Sequence, residues 1–177
     1  KGTAGSLLRI KNSLSVTISD CLGTGKLVGG FGTPDTDNAK FTLGGTVCVE
    51  SGTLNLYDGT ISEGLANWGS CVYVPRGSTF NMYGGEIYGG SANGAGNIIV
   101  TGTMNMTGGK IYGGSGSFGY NIYSVNSVIN FTGGKIIGGV QLGGSTLLCA
   151  PDFPNLRRGR GRAPPHPLYP CMRRQGG

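Results

Sequence analysis

One phrase recurs four times along this chain at a step of about 25 residues, and that period limits the folds open to it. It runs Gly77-Ser78-Thr79-Phe80-Asn81-Met82-Tyr83-Gly84-Gly85-Glu86-Ile87-Tyr88-Gly89-Gly90, and again Gly102-Thr103-Met104-Asn105-Met106-Thr107-Gly108-Gly109-Lys110-Ile111-Tyr112-Gly113-Gly114. An earlier copy spans Gly52 to Gly64 and a later one Val128 to Gly139. Aligned on Asn55, Asn81, Asn105 and Asn130, the copies are 26, 24 and 25 residues apart, and Ile61, Ile87, Ile111 and Ile136 keep the same steps. A period of this length, carried by apolar positions and glycines, marks a stacked repeat in which each unit buries its apolar face against the next.

Within one copy the periodicity is two. Phe80 and Met82 alternate with Thr79, Asn81 and Tyr83, which is a strand with one apolar face and not a helix. Paired glycines bound a second short strand at Glu86-Ile87-Tyr88, where sharp corners call for positive φ. A third precedes each copy, at Val47-Cys48-Val49, Val72-Tyr73-Val74, Ile98-Ile99-Val100 and Asn121-Ile122-Tyr123-Ser124. Three short strands and three corners per repeat predict an all-β parallel β-helix, each strand lying parallel to its counterpart in the next coil. The predicted core is three columns, Leu54/Phe80/Met104/Ile129, Leu56/Met82/Met106/Phe131 and Ile61/Ile87/Ile111/Ile136, joined by Val47, Val49, Val72, Val74, Ile98 and Val100.

The phrases Gly84-Gly85-Glu86-Ile87-Tyr88-Gly89-Gly90 and Gly108-Gly109-Lys110-Ile111-Tyr112-Gly113-Gly114, with Val72-Tyr73-Val74 ahead of Thr79-Phe80-Asn81-Met82, resemble the right-handed parallel β-helix repeats of bacterial cell-surface proteins in the pectin-lyase-like superfamily. The resemblance covers residues 46 to 140 best. It implies a right-handed solenoid at the cell surface or outside the cell, on an architecture that carries lyases, hydrolases, adhesins and passive stalks alike.

Three segments are expected: irregular first coils and an N-terminal cap over 1–45, regular coils over 46–150, and a tail over 151–177 outside the fold. Within the first, Phe31 to Lys40 reads as a loop, since Pro34 donates nothing to a ladder and Asp35, Asp37 and Asn38 favour turns. Those three also offer the hard oxygens calcium prefers, but without an EF-hand loop they read as a solvated turn. The tail holds six of the eight prolines and six of the eight arginines, and at +5 against +1 for residues 1–150 it cannot supply a core face. Its arginines give nucleic acid a weak route to binding, and no nucleic-acid partner is expected. No apolar run is long enough to span a membrane. The chain reads as a mature protein or a fragment of a longer one, whose open edges at both ends invite end-to-end self-association.

The most regular polar feature is the outward face of the Thr-x-Asn-x-Tyr/Thr strand. Its Asn column is expected to form an amide ladder from coil to coil. As a binding surface, Thr79, Asn81, Tyr83, Thr103, Asn105 and Thr107 would pair with sugar hydroxyls and stack on sugar faces. Beside it, Glu86 should face Lys110, and Tyr88 should stack on Tyr112. Asp58 and Glu63 fall in one coil and Glu86 in the next, but both of the former stand at corners where other copies have glycine. Arg9 and Arg76 lie near no acidic column, and the sole histidine, His166, is in the tail, so no catalytic residues are assigned and an enzyme is not expected. Cys21, Cys48, Cys71, Cys149 and Cys171 form no metal pair, their disulfide pairing stays open, and no metal or cofactor is assigned. The expected function is an extracellular or cell-surface structural and adhesive module that displays these columns to a polysaccharide or a host or cell-surface glycan. The alternative is a domain that binds or cleaves polysaccharide along the same face.

Overall fold

A computed structural model describes residues 5–35, 38, 40–117 and 120–149; the 151–177 segment, with His166 and Cys171, and also Asp37 lie outside the described residues. Among these, all regular structure is strand, and none of it is helix. Three parallel sheets are built from strands that recur once per repeat. The first stacks Leu8–Ile10, Val47–Val49, Val72–Val74, Ile98–Val100, Tyr120–Val125 and Gly139–Gly143. The second stacks Leu14–Ile18, Gly52–Leu56, Thr79–Met82, Thr103–Met106, Val128–Phe131 and Thr146–Cys149. The third stacks Lys26–Val28, Thr60–Ser62, Glu86–Tyr88, Lys110–Tyr112 and Lys135–Ile137. Successive strands of the chain fall in successive sheets, an arrangement of stacked coils compatible with a β-solenoid.

The registers are those of the repeat. Asn55, Asn81, Asn105 and Asn130 are paired in line, as are Ile61, Ile87, Ile111 and Ile136. Leu8, Val16 and Leu27 register with Val47, Leu54 and Ile61, so residues 8–28 already trace a coil. What separates that coil from the next is an insertion: Thr33–Pro34 and Thr42–Leu43 form a small antiparallel hairpin, closed by the Asp35 amide donating to the Phe41 carbonyl. The coil also carries a fourth, two-residue strand, at Leu65–Ala66, Ser91–Ala92 and Ser115–Gly116, where the expectation was three per repeat. These pairs show no apolar alternation, so periodicity could not reveal them; only stacking against the neighbouring coil defines them.

All the columns expected inside are buried. From Leu54 and Leu56 through Phe80, Met82, Met104, Met106 and Ile111 to Ile129 and Phe131 the side chains are fully enclosed, and like stacks on like. Each contributes roughly 1.5–3 kcal/mol relative to an exposed side chain.

The first glycine of each pair has a reason other than positive φ. A Cβ at Gly84, Gly108 or Gly133 would run into the carbonyl of Tyr57, Tyr83 or Thr107 in the coil below. Asp58 occupies the same position one coil earlier, where the chain beneath has left the stack in the longer connection from Ile18 to Lys26. The glycine rule is thus a rule about the neighbouring coil's backbone.

The corner after the third sheet does require positive φ. It is occupied by Gly89 (φ 69°), Gly113 (63°) and Gly138 (122°), but in the second coil by Glu63 at φ 56°. A left-handed conformation costs an L-residue about 1–2 kcal/mol, partly offset in glycine by the greater freedom of its unfolded chain. Glu63→Gly is therefore expected to stabilise the protein by up to about 1 kcal/mol, read as a higher urea midpoint with unchanged slope. A lower midpoint would show that the Glu63 side chain contributes more than its backbone strain costs.

Candidate functional site

The second sheet presents the surface the sequence singled out. Thr79, Asn81, Thr103 and Asn105 are half-buried in line on its outer face, and Tyr83 and Thr107 are exposed at its edge. The amides form a continuous ladder: Asn55 Nδ2 donates to Ser15 Oγ (3.1 Å), Asn81 to Asn55 Oδ1 (2.8 Å), Asn105 to Asn81 (2.7 Å) and Asn130 to Asn105 (2.6 Å). It ends at Asn130 because the next residue in register is Leu148. Asn55, Asn81 and Asn105 therefore each spend a donor and an acceptor on their neighbours, while Asn130 spends a donor and leaves its Oδ1 buried without a partner, and the ligand-facing groups that remain are the threonine hydroxyls and the tyrosine rings. Tyr57 and Tyr83 stack at 4.4 Å between centroids, both exposed, and offer a flat aromatic step at the edge of the ladder.

The third sheet ties up its polar groups in the same way. Lys110 Nζ lies 3.7 Å from Glu86 and 4.1 Å from the Tyr112 ring centroid, and Tyr88 stacks on Tyr112 at 5.1 Å. Tyr112 donates its hydroxyl to Glu86 Oε2 (2.8 Å), and this bond to a carboxylate pushes its pKa up to about 12. The two acids weighed as a catalytic pair stand at solvent: Glu63 is exposed in its left-handed corner, and Asp58, also exposed, accepts from the Gly59 amide (2.7 Å). Among the described residues no three His, Cys, Asp or Glu converge as a metal site. In the inserted loop, Asn38 Oδ1 accepts from the Lys40 amide as in an ordinary turn.

The outer face of the first sheet is different, and sequence reasoning missed it. Its outward column is Arg9, Cys48, Tyr73, Ile99 and Tyr123. The hairpin and the 65–70 connection rise beside it, placing Leu43 in a bridge with Trp68, and Trp68 stacks on Tyr123 at 5.9 Å with an interplanar angle of 27°. Between these walls runs an open groove. One part, of about 400 Å³, is lined by Arg9, Lys11, Glu50, Asp35 and Tyr73. A second, of about 240 Å³, shares Asp35, Leu43 and Tyr73 with the first and continues past Trp68 to Tyr123. Glu50 holds both cations at one end, in contact with Arg9 and 3.3 Å from Lys11 Nζ. Tyr73 sits at the centre of the apolar strand Val72–Val74 and Tyr123 follows Ile122 in a mixed strand, both outward by alternation, and the only tryptophan lies in the connection ahead of Val72. An outward column with two tyrosines and an isoleucine was the available signal, and it pointed to a covered or ligand-bearing face.

Cys48 faces out of the coil, in line with Arg9 and Tyr73, but is buried, and Cys71 is enclosed at a corner. Burial pushes both thiols up to about 11, the nearby Glu50 carboxylate adding to the effect at Cys48. Cys21, Cys48 and Cys71 are free thiols.

Comparison with protein-family models, curated proteins and solved structures finds no match to this chain.

Proposed function

We propose that this chain is a right-handed parallel β-helix acting as an extracellular or cell-surface structural and adhesive module that contacts glycans and does not cleave them. The observation that carries the reading is the asparagine ladder, which joins Ser15, Asn55, Asn81, Asn105 and Asn130 in one hydrogen-bonded column beside the exposed Tyr57–Tyr83 step. Each bond is worth about 0.5–1.5 kcal/mol net, so the column stiffens the sheet that would bear the contact. A surface that does not deform on binding loses little conformational entropy, which suits repeated weak contacts along a polymer. Handedness and location outside the cell rest on the resemblance of the Gly84–Gly90 and Gly108–Gly114 phrases to cell-surface repeats. Asp58 and Glu63 are both exposed, and Asp58 is engaged by the Gly59 amide, which supports a non-catalytic reading.

The test is a glycan array probed with the full chain, every hit then incubated and its products weighed by mass spectrometry. Binding without shortened products is expected, weakened by Tyr83→Ala. Shortened products would make the protein a glycan-cleaving enzyme, and silence across the array would remove the adhesive role.

A further inference from the structure

We infer that the two ends of the coil stack bind each other, so that a second copy of this chain seats head to tail, its Leu8–Ile18 end on the Gly139–Cys149 end of the first. The inference concerns the ends of the stack and is independent of the glycan reading. Burial is the first observation. Through the middle coils the inward columns are fully enclosed, whereas Leu8, Val16 and Leu27 at one end and Val140 and Leu147 at the other pack on the core but stay partly open. Leu14 and Leu148 at the same two ends are more than half exposed, at 57% and 58%. The backbone is open there too. Among the described residues, Leu8–Ile10 and Leu14–Ile18 pair with a strand on one side only, as do Gly139–Gly143 and Thr146–Cys149 at the far end, and such edges are templates for another chain.

The second observation is that the two edges fit each other. Extending the registers of the stack by one coil seats Leu8 on Val140, Ser15 on Thr146 and Val16 on Leu147, apolar on apolar and polar on polar. The corner between the first and second sheets matches as well. Ile10 to Val16 is six steps and Leu142 to Leu147 five, while inside the stack Val74 to Phe80 is six and Val100 to Met104 four, so the join asks for no change the stack does not already absorb. The contact is made by these two sheets; among the described residues the third ends one coil earlier, at Lys135–Ile137.

The third observation selects the occupant. Residues 136–149 carry no charged side chain, and Arg9 of the incoming coil falls in register on Gln141, so no like charges meet. Residues 151–177 are the rival for that end, but they hold six prolines, which donate nothing to a ladder, and no alternating apolar run. Two like ends related by a two-fold axis would run their strands antiparallel and face only one sheet with its own counterpart. The joint is therefore heterologous, and it propagates as an open row of copies.

Sedimentation velocity of the full chain up to about 1 mM is expected to show species that grow past the dimer as concentration rises. Leu147→Lys points a charge inward on the free edge and should raise the concentration needed for assembly at least about tenfold. Because Leu147 also packs on the core, a second test uses outward, exposed positions. Ser15→Cys and Thr146→Cys in one chain would place two thiols across the joint on strands about 5 Å apart, within disulfide reach. Within one copy the same positions are five coil steps, about 24 Å, apart and cannot pair. Oxidation with diamide, which takes up the two electrons and two protons, should give covalent trimers and longer rows that collapse on reduction, well above the background that either single variant gives from the native thiols. A monomer at every concentration, an assembly that stops at the dimer, or cross-linking no greater in the double variant than in the single ones would overturn the joint. So would assembly indifferent to Leu147→Lys, and assembly that starts only when residues 151–177 are removed would make the tail the occupant of that end instead.

Discussion

Ile111→Asp is expected to unfold several coils at once, whereas Lys110→Asp, one residue away, should cost no more than about 1 kcal/mol. Ile111 is fully buried in the middle of the third-sheet column, paired with Ile87 on one side and Ile136 on the other. Its replacement removes roughly 1.5–3 kcal/mol of apolar burial and puts in its place a carboxylate with no partner in an apolar column, a further cost of several kcal/mol. Folded domains hold only about 5–15 kcal/mol in total, and in a solenoid each coil is stabilised by its neighbours, so the loss spreads outward from the site. Lys110 by contrast is partly exposed and gives up a surface ion pair with Glu86. Urea denaturation followed by circular dichroism would read both variants, with hydrogen exchange at the Ile87 and Ile136 amides reporting the spread. Burial raises the folded pKa of the new carboxyl above its unfolded value near 4, so its penalty grows as pH rises through that interval and eases as pH falls. Partial recovery of Ile111→Asp toward pH 4 is therefore part of the expected result. A variant that melts within a few degrees of the parent at pH 7 would mean the column is not what holds the coils together.

The registers of Asn55, Asn81, Asn105 and Asn130 and of the four isoleucines were legible because a stacked coil repeats its side chains at a fixed step, and alternation assigns each to a face. The stacking of Tyr88 on Tyr112 and the approach of Lys110 to Glu86 followed from the same alignment. What alignment could not convey is anything set by the neighbouring coil's backbone. Gly84 looks like a turn residue but is small because the Tyr57 carbonyl lies where its Cβ would be. The fourth strand is two residues of no distinctive chemistry, defined only by what it stacks on.

The groove was illegible for a related reason. Residues 29–46 break the repeat, and an insertion has no counterpart to align with, so nothing in its composition says over which sheet it lies. Once it stands beside the first sheet, Cys48 passes from an outward position to a buried one, and Tyr73 and Trp68 become parts of one surface. The structure lines up Thr79, Asn81, Thr103 and Asn105 on one face, but the most regular members, Asn81 and Asn105, are already hydrogen-bonded to each other, Asn81 also to Asn55 and Asn105 also to Asn130.

A second amide column escaped notice because it is buried and short, and it yields the other large effect. At the corner leading into the first sheet, Asn97 Oδ1 accepts from the Gly90 amide (2.9 Å) and from the Cys71 thiol (3.5 Å), and its Nδ2 donates to the Tyr112 carbonyl and to Asn121 Oδ1, each at 2.8 Å. Asn121 repeats the pattern, accepting from the Gly114 amide (2.8 Å) and donating to the Ile137 carbonyl (2.7 Å). Asn97→Ala would strand the Gly90 N–H and the Tyr112 carbonyl, at about 1–3 kcal/mol each, and is expected to cost roughly 3–5 kcal/mol. Asn105→Ala removes the same two kinds of bond from the half-exposed outer ladder, where water can replace them, and should cost about 1 kcal/mol. Asn97→Asp should be worse than either, because a carboxylate oxygen would then face the Tyr112 carbonyl and Asn121 Oδ1 with no donor between them. Urea midpoints of the three variants give the ordering directly. Equal costs for Asn97→Ala and Asn105→Ala would show that water reaches the inner column, and would remove burial as the reason that one amide ladder fixes the coil while the other only stiffens its face. Asn97 and Asn121 each stand two residues before an outward side chain of the groove, Ile99 and Tyr123, so the inner ladder also sets where that surface lies.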